Sequence, residues 1–441
     1  MRARFLHFAD CHLGYYQYGN RERYNDFSRA LQAVCRAAVE HAVDFVLLAG
    51  DLFQKRSIDA LTLHHAVRGL EILRDAEIPC IAVEGNHELA YYRDAIGWMR
   101  FLAEEELLIL LNPIFTQGKA VLPPYQRRPP GAFVEPVPGL RVYGMRYLGA
   151  STPQALEAVV EALAEEDRQG VAYTVFMTHA GVEGVLPGQR GGLTHRQLAA
   201  LRPFVDYLAL GHIHKPFQHD HWIFNPGSLE TCSMEEVAWE DRGYYLVEVD
   251  TDRPREPGIP AHQVTLHRPP RRPFLRLRFS VDHVAGPEDL VRQVREYVFR
   301  QAEERGYRPA AEETQETHRS RRPVVELRLS GVLPFDRLSL DLEPLQDALQ
   351  EAFDPLLAQV KNAAQPAEYA VRGDRGLGRA ALERAVLEDL LARDARFQRD
   401  TAHWTQVLLN LKRLALDKEI APEAILAELE AAAASSTGPG S

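Results

Sequence analysis

Five short apolar runs in this sequence each stop at polar groups able to hold a metal ion, and that pattern restricts the fold more than any other feature. The runs are Phe5-Leu6-His7-Phe8-Ala9, Phe45-Val46-Leu47-Leu48-Ala49, Pro79-Cys80-Ile81-Ala82-Val83, Tyr173-Thr174-Val175-Phe176-Met177 and Tyr207-Leu208-Ala209-Leu210. They end, in turn, in Asp10-Cys11-His12, Gly50-Asp51, Glu84-Gly85-Asn86-His87-Glu88, Thr178-His179 and Gly211-His212-Ile213-His214. Runs of this length suit buried parallel strands with a loop at the C-terminal end. Ligands of open α/β sheets sit at that end. A carboxylate delivered there needs a positive partner, because an unpaired buried charge is very costly. Taken singly, Asp51 could merely cap the next helix, and any one of these histidines could be an ordinary surface or core residue. Five such ends in this order are hard to obtain by chance.

Between the runs the apolar period lengthens. Residues 26 to 41 carry Phe27, Ala30, Leu31, Val34 and Ala38 at helical spacing, and a second helix is expected over about 60 to 76. Strand-helix-strand units of this kind bring Asp10 and Asp51 to one edge of a parallel sheet. The length, 441 residues, allows two or three domains. The net charge of -11 does not advertise nucleic-acid binding, although local patches can do so in an acidic chain. The four cysteines, Cys11, Cys35, Cys80 and Cys232, are scattered, which fits a reducing compartment and argues against a disulfide framework or a cysteine zinc site. No signal peptide or membrane span is expected, so the reading is a cytoplasmic protein with no membrane partner.

Together these residues resemble the calcineurin-like metallophosphoesterases, and most closely the SbcD-type DNA double-strand-break repair nucleases. The resemblance rests on Ala9-Asp10, His12-Leu13-Gly14, Ala49-Gly50-Asp51-Leu52-Phe53, Gly85-Asn86-His87-Glu88, Gly211-His212-Ile213-His214-Lys215-Pro216 and Asn225-Pro226-Gly227-Ser228-Leu229-Glu230. It implies an α/β fold: a two-sheet β-sandwich flanked by helices, with a small α+β capping domain and a helical C-terminal segment. It implies two metal ions, with Asp51 bridging, Asp10, His12 and His214 around the first, and Asn86, His179 and His212 around the second. The imidazole, carboxylate and amide donors, with no thiolate, favour Mn²⁺ or Fe²⁺, with Zn²⁺ possible, and Mn²⁺ is the ion expected. Two such ions clamp the attacking and leaving oxygens of a phosphoryl transfer, so no Ser or Cys nucleophile is required. His87 matches the family's histidine that is not a ligand, and is expected to act as general acid or to stabilise the transition state. Two departures stand out: Gln54 replaces a histidine usual in the archaeal and eukaryotic nucleases, and Glu88 replaces an aspartate, as in many phosphatases.

Other segments carry weaker signals. The loop Tyr15 to Tyr24 mixes aromatics with arginine, so Tyr16, Arg21 and Arg23 could touch DNA, as could Tyr91 and Arg93. Either group could equally pack on the domain surface. The expected domains are a nuclease domain at 1–268, a cap at 273–362, a linker at 363–378, a helical segment at 379–434 and a disordered tail at 435–441. The strand 244 to 249 is expected to close the second sheet, with Pro- and Arg-rich linkers at 252 to 260 and 267 to 273. Arg268, Arg271, Arg272, Arg276 and Arg278, with Arg319, Arg321 and Arg322, make the cap the most basic region, suited to phosphate or to a solvated strand face. Trp404, Val407, Leu408, Leu411 and Leu414 form an apolar stripe that could dock on a partner. By resemblance that partner is a coiled-coil ATPase of the SbcC type, and a homodimer is possible. The expected function is a Mn-dependent DNA exonuclease and endonuclease. Hydrolysis of small phosphoesters or cyclic nucleotides, and a non-catalytic scaffold, are the alternatives.

Overall fold

The structure, a computed structural model, describes residues 1–89, 96–126, 131–188, 192–252, 259–307, 322–366, 379–416 and 422–436. The chain divides into two compact units. The first is Met1–Leu277 with Gly306–Glu326 and Leu349–Gln359; the second is Arg278–Arg305, Leu327–Ala348 and Val360–Ser441.

The first unit is built on two six-stranded sheets. In chain order the strands are β1 (Arg2–Phe8), β2 (Phe45–Leu48), β3 (Cys80–Ala82), β4 (Ile109–Leu110), a hairpin of β5 (Ile114–Thr116) and β6 (Lys119–Val121), β7 (Phe133–Val137) and β8 (Leu140–Met145). They continue with β9 (Tyr173–His179), β10 (Tyr207–Gly211), β11 (Phe217–His219), β12 (Ile223–Asn225), β13 (Tyr244–Asp250) and β14 (His262–His267). One sheet has the order β14-β13-β1-β2-β3-β4 and the other β11-β12-β10-β9-β8-β7. β1, β2 and β3 are parallel, as are β8, β9 and β10, so the polar ends read from the sequence fall at like edges.

Side chains alternate across each strand, and the two periods sort the core. Phe5, Phe45, Leu47 and Ile81 meet Val142, Val175, Met177 and Tyr207 between the sheets. Leu6, Phe8, Val46 and Leu48 face the other way, onto Phe27, Leu31, Val34 and Leu70. Those residues line two helices, α1 (Arg21–Glu40) and α2 (Ala60–Asp75). Both faces of β2 are therefore covered, which is why its sequence is apolar without alternation. Each fully buried Phe or Leu side chain contributes about 1.5–3 kcal/mol. The helices start where short polar side chains take up free N–H groups: Asn20 accepts from Glu22 and Arg23, and Asp59 from Thr62.

Two expectations need correction. The strand at 244 to 249 is β13, and it joins the first sheet, antiparallel to β1, rather than closing the second. There it pairs the otherwise open edge of β1 and sends Tyr245 and Val247 into the core between the sheets. Between the two stretches expected to be linker, residues 262–267 form β14, paired antiparallel to β13. Its side chains are half-buried or exposed, so its sequence carries no apolar run. The strands β7 and β8 and the helix Thr152–Glu165 were not anticipated either.

Three further strands, Phe274–Ser280, Val324–Ser330 and Leu357–Asn362, form a sheet in that order. The helix Pro287–Glu304 buries Leu290, Val294, Val298 and Ala302 at four-residue spacing. A second helix runs over Glu343–Phe353. In the C-terminal part, helices cover Arg379–Arg393, Thr401–Leu416 and Pro422–Ser436. The stripe of Trp404, Val407, Leu408, Leu411 and Leu414 is half-buried. Arg384 Nη2 donates to Gln406 Oε1 at 2.6 Å, tying the first two helices. Of the expected linker and tail, residues 367–378 and 437–441 lie outside the described residues. Among the described residues no helix is long and apolar enough to cross a membrane.

Candidate metal centre

The loops that leave β1, β2 and β10 are held in backbone conformations that most side chains avoid. Asp10, His12, Asp51 and His212 have φ of 54°, 49°, 53° and 90°. Non-glycine residues held there cost about 1–3 kcal/mol each and cluster at functional sites. Backbone hydrogen bonds enforce the geometry: Cys11 N–H and His12 N–H both donate to the Asp51 carbonyl, at 2.8 and 3.1 Å, and Asp10 N–H donates to Gly50 O at 3.1 Å. Gly50 is required at φ 89°, where a Cβ would also lie 2.5 Å from His179 Nδ1. At Gly85 a Cβ would run into the Asp51 carboxylate, so the third loop can approach only without a side chain.

The seven residues expected as ligands come together in the first unit. His179 Nε2 lies 3.2 Å from Asp51 Oδ2, and Asn86 Oδ1 lies 3.2 Å from His179 Nε2 and 3.0 Å from His212 Nδ1. On the other side of Asp51, His12 Nε2 is 4.0 Å from Asp51 Oδ2 and from Asp10 Oδ1. His214 Nε2 is 2.9 Å from His12 Nε2 and 3.9 Å from Asp10 Oδ1. Asp51 thus stands between an Asn86–His179–His212 group and an Asp10–His12–His214 group. Asp10, His12, Asp51 and His179 are all buried. Convergent oxygen and imidazole donors around a shared carboxylate fit a pair of divalent ions.

The charges of the metal-free site are mixed: His179 and His214 are raised against their own burial while His12 and His212 are lowered, so metal ions would have to displace protons from the first two. Burial lowers His12, with His214 next to it adding to the effect, and burial with His179 nearby takes His212 down to about 4. Both rings are therefore neutral at physiological pH, the form that binds metal. Burial alone would lower His179 as well, but the Asp51 carboxylate carries it up to about 9. Against its own burial, Asp51 is held well below the carboxylate range by His179. In effect a proton on His179 balances Asp51.

Two carboxylates outside the seven shape the centre: Glu236 escaped the sequence reading, and Glu88 was noted only as a departure from the nuclease pattern. Glu236 Oε1 accepts from His214 Nδ1 at 2.8 Å, while Oε2 accepts from Ser228 Oγ and the Cys232 N–H, each at 3.0 Å. Arg242 donates to Ser228 Oγ at 3.1 Å and to the Glu236 carbonyl at 2.8 Å, locking the carboxylate in place. A carboxylate on the far nitrogen of a ligating histidine fixes its tautomer and raises its basicity. Replacing Glu236 with Gln is expected to weaken divalent-metal affinity by about 10–100-fold. Calorimetric titration of the metal-free variant checks this, and an unchanged affinity would contradict the role. Glu88 accepts from the backbone N–H of Asp51, Phe53 and Gly85 at 3.1, 2.8 and 2.7 Å. It fastens the second and third loops together, while burial and the Asp51 charge push it up to about 8.

His87 takes a different position. Its Nδ1–H donates to the Gln54 carbonyl at 2.6 Å, and its N–H donates to Asp51 Oδ1 at 3.1 Å. Its Nε2 is 3.9 Å from Asp51 Oδ2, and the ring is about one third exposed, at 31%. The carbonyl contact fixes the tautomer and leaves Nε2 toward the centre. The main chain of Gln54, not its side chain, makes this contact.

Of the residues suggested for DNA contact, Tyr16 and Arg21 are exposed. Arg23 is not available. It is fully buried, pairs with Asp26 at 2.7 Å and Glu230 at 3.3 Å, and its guanidinium lies 4.7 Å from the centre of the Phe274 ring. Its place in the first turn of α1 turns it inward to acids far apart in sequence. Tyr91 and Arg93 lie outside the described residues. Much of the basic segment is likewise paired internally: Arg268 with Asp241, Arg272 with Asp26, Arg276 with Glu326 and Glu235, and Arg322 with Asp354. Arg319 and Arg321 lie outside the described residues.

A helix-flanked pair of sheets whose strand ends gather carboxylate, amide and imidazole donors offers a site suited to divalent metal ions. Residues 3–216 match the family model for calcineurin-like phosphoesterases. Relatives named DNA double-strand break repair protein Mre11 align more widely. That of Archaeoglobus fulgidus is 30% identical over 251 residues, covering 53% of this chain and 52% of its own. That of Saccharolobus solfataricus is 26% identical over 259 residues, covering 57% and 62%. That of Aeropyrum pernix is 28% identical over 284 residues, covering 63% and 64%. The matches span between half and two thirds of these relatives' length.

Proposed function

We propose that the chain is a metal-dependent DNA nuclease acting in double-strand-break repair. The observation that carries the reading is the convergence of the other six candidate ligands around Asp51. The double-strand-break repair relatives support DNA as the substrate. Asp10, His12 and His214 would hold one ion, and Asn86, His179 and His212 the other, with Asp51 shared. The mixed imidazole, carboxylate and amide donors suit Mn²⁺, Fe²⁺ or Zn²⁺, and Mn²⁺ is the ion of this reading. When bound, such a pair neutralises charge on both oxygens of an in-line phosphoryl displacement and makes water acidic enough to react near neutral pH. The protein's own contribution is placement. Glu236 aims His214, the Ala49 carbonyl aims His179 from 2.8 Å, and Glu88 keeps two loops in register. His87 Nε2, at the exposed side of Asp51, is placed to give a proton to the departing alkoxide when the ring is doubly protonated, its Nδ1–H staying on the Gln54 carbonyl.

A coiled-coil ATPase of the SbcC type is the partner we propose for the C-terminal helices, where Leu416, Leu426 and Leu429 stay exposed.

The test is hydrolysis by the purified chain loaded with Mn²⁺, on linear duplex DNA and on bis(p-nitrophenyl) phosphate. Metal-dependent degradation of DNA is expected. Hydrolysis of the small diester alone would replace this reading with a small-substrate phosphoesterase. Inactivity on both, with metal bound, would leave a scaffold.

A further inference from the structure

Cys232 is not one of the seven candidate ligands, yet it faces two of them. Its Sγ and one ring nitrogen each of His12 and His214 all lie within 4.8 Å of one another. The two imidazoles already meet Nε2 to Nε2 at 2.9 Å. His12 is buried, and its Nδ1 has no hydrogen-bond partner. The main chain of Cys232 is held on both sides. Its N–H donates to Glu236 Oε2 at 3.0 Å, and its carbonyl accepts from Gln17 Nε2 at 2.8 Å. The carboxylate that orients His214 therefore also fixes where the thiol stands. Cys232 is half-buried, whereas the other three cysteines are buried.

Two imidazoles and a thiol make a donor set unlike the rest of the centre. Carboxylate and amide oxygens suit harder ions, and sulfur suits softer ones. Metal bonds of about 2.0–2.3 Å place tetrahedral donors about 3.5 Å apart, so a small side-chain adjustment closes this triad around an ion. We propose that Cys232, His12 and His214 form a second coordination mode at the edge of the centre, selective for soft divalent cations such as cadmium or zinc. It shares two histidines with the ion pair of the proposed function and so competes with Mn²⁺ for them. It does not depend on the phosphodiesterase reaction.

The experiment uses the full-length, metal-free protein titrated with Cd²⁺ and, separately, with Mn²⁺. Cadmium is expected to produce an ultraviolet thiolate-to-metal charge-transfer band that saturates at one equivalent per chain. Cys232→Ser and Cys232→Ala are each expected to lose the band and to bind Cd²⁺ about tenfold more weakly or worse, with Mn²⁺ affinity changed far less. The proposal is overturned by a wild-type protein that binds Cd²⁺ without the band. It is also overturned by a band that survives both substitutions, or by variants that lose Cd²⁺ and Mn²⁺ affinity equally, which would make Cys232 a support for His214 alone. DNA left intact in Mn²⁺ would remove the proposed reaction while leaving the cadmium result standing.

Discussion

Replacing Asp51 with Asn is expected to abolish metal-dependent hydrolysis and to lower the bound metal below two ions per chain. Asp51 lies within reach of both ligand groups, 3.2 Å from His179 and 4.0 Å from His12. An amide keeps the shape but offers one neutral oxygen and loses the negative charge that two cations share. It also removes the anion that carries His179 up to about 9, so the metal-free variant should release the His179 proton at lower pH. Losing several kcal/mol of transition-state stabilisation lowers turnover by about 10³-fold or more. Metal analysis and DNA-degradation rates check both parts. Normal turnover with two ions retained would sink the bridging role.

Truncating His87 to Ala should separate chemistry from metal binding. The ring sits 3.9 Å from Asp51 through Nε2, outside the seven-ligand set, and is anchored at Nδ1 by the Gln54 carbonyl. Both ions should remain, and turnover should fall by about 10²-fold or more, the usual loss when a general acid is removed. A second signature follows from the same role. A substrate whose leaving group needs no proton, such as a p-nitrophenyl diester, should lose much less activity than DNA. Loss of metal in this variant would mean that His87 is a ligand.

The candidate ligands were legible in the sequence because strand geometry makes their positions stand out. A buried parallel strand must be apolar and must end in a loop, so Asp10, Asp51 and His179 stand out against their runs. What was not legible depends on contacts between distant segments. Glu236 belongs to no apolar period and becomes meaningful only when the turn containing it folds back onto His214. Glu88 could be read as a family variation, but its three backbone donors come from two loops that only the fold brings together. Arg23 was misread for the converse reason. A basic residue in an aromatic loop suggests a surface contact, and although Asp26 is one turn away, nothing local reveals Glu230, which helps draw it inside. The edge strand β14 shows the same limit, since a half-exposed strand paired on one side has no need of an apolar sequence.

Anomalous X-ray scattering from crystals of the chain grown in Mn²⁺ tests the shared centre most directly. Two peaks are expected, about 3.5–4 Å apart, one on each side of the Asp51 carboxylate. The first should be bounded by Asp10, His12 and His214, and the second by Asn86, His179 and His212. A single peak, or two peaks of which only one touches Asp51, would contradict the account.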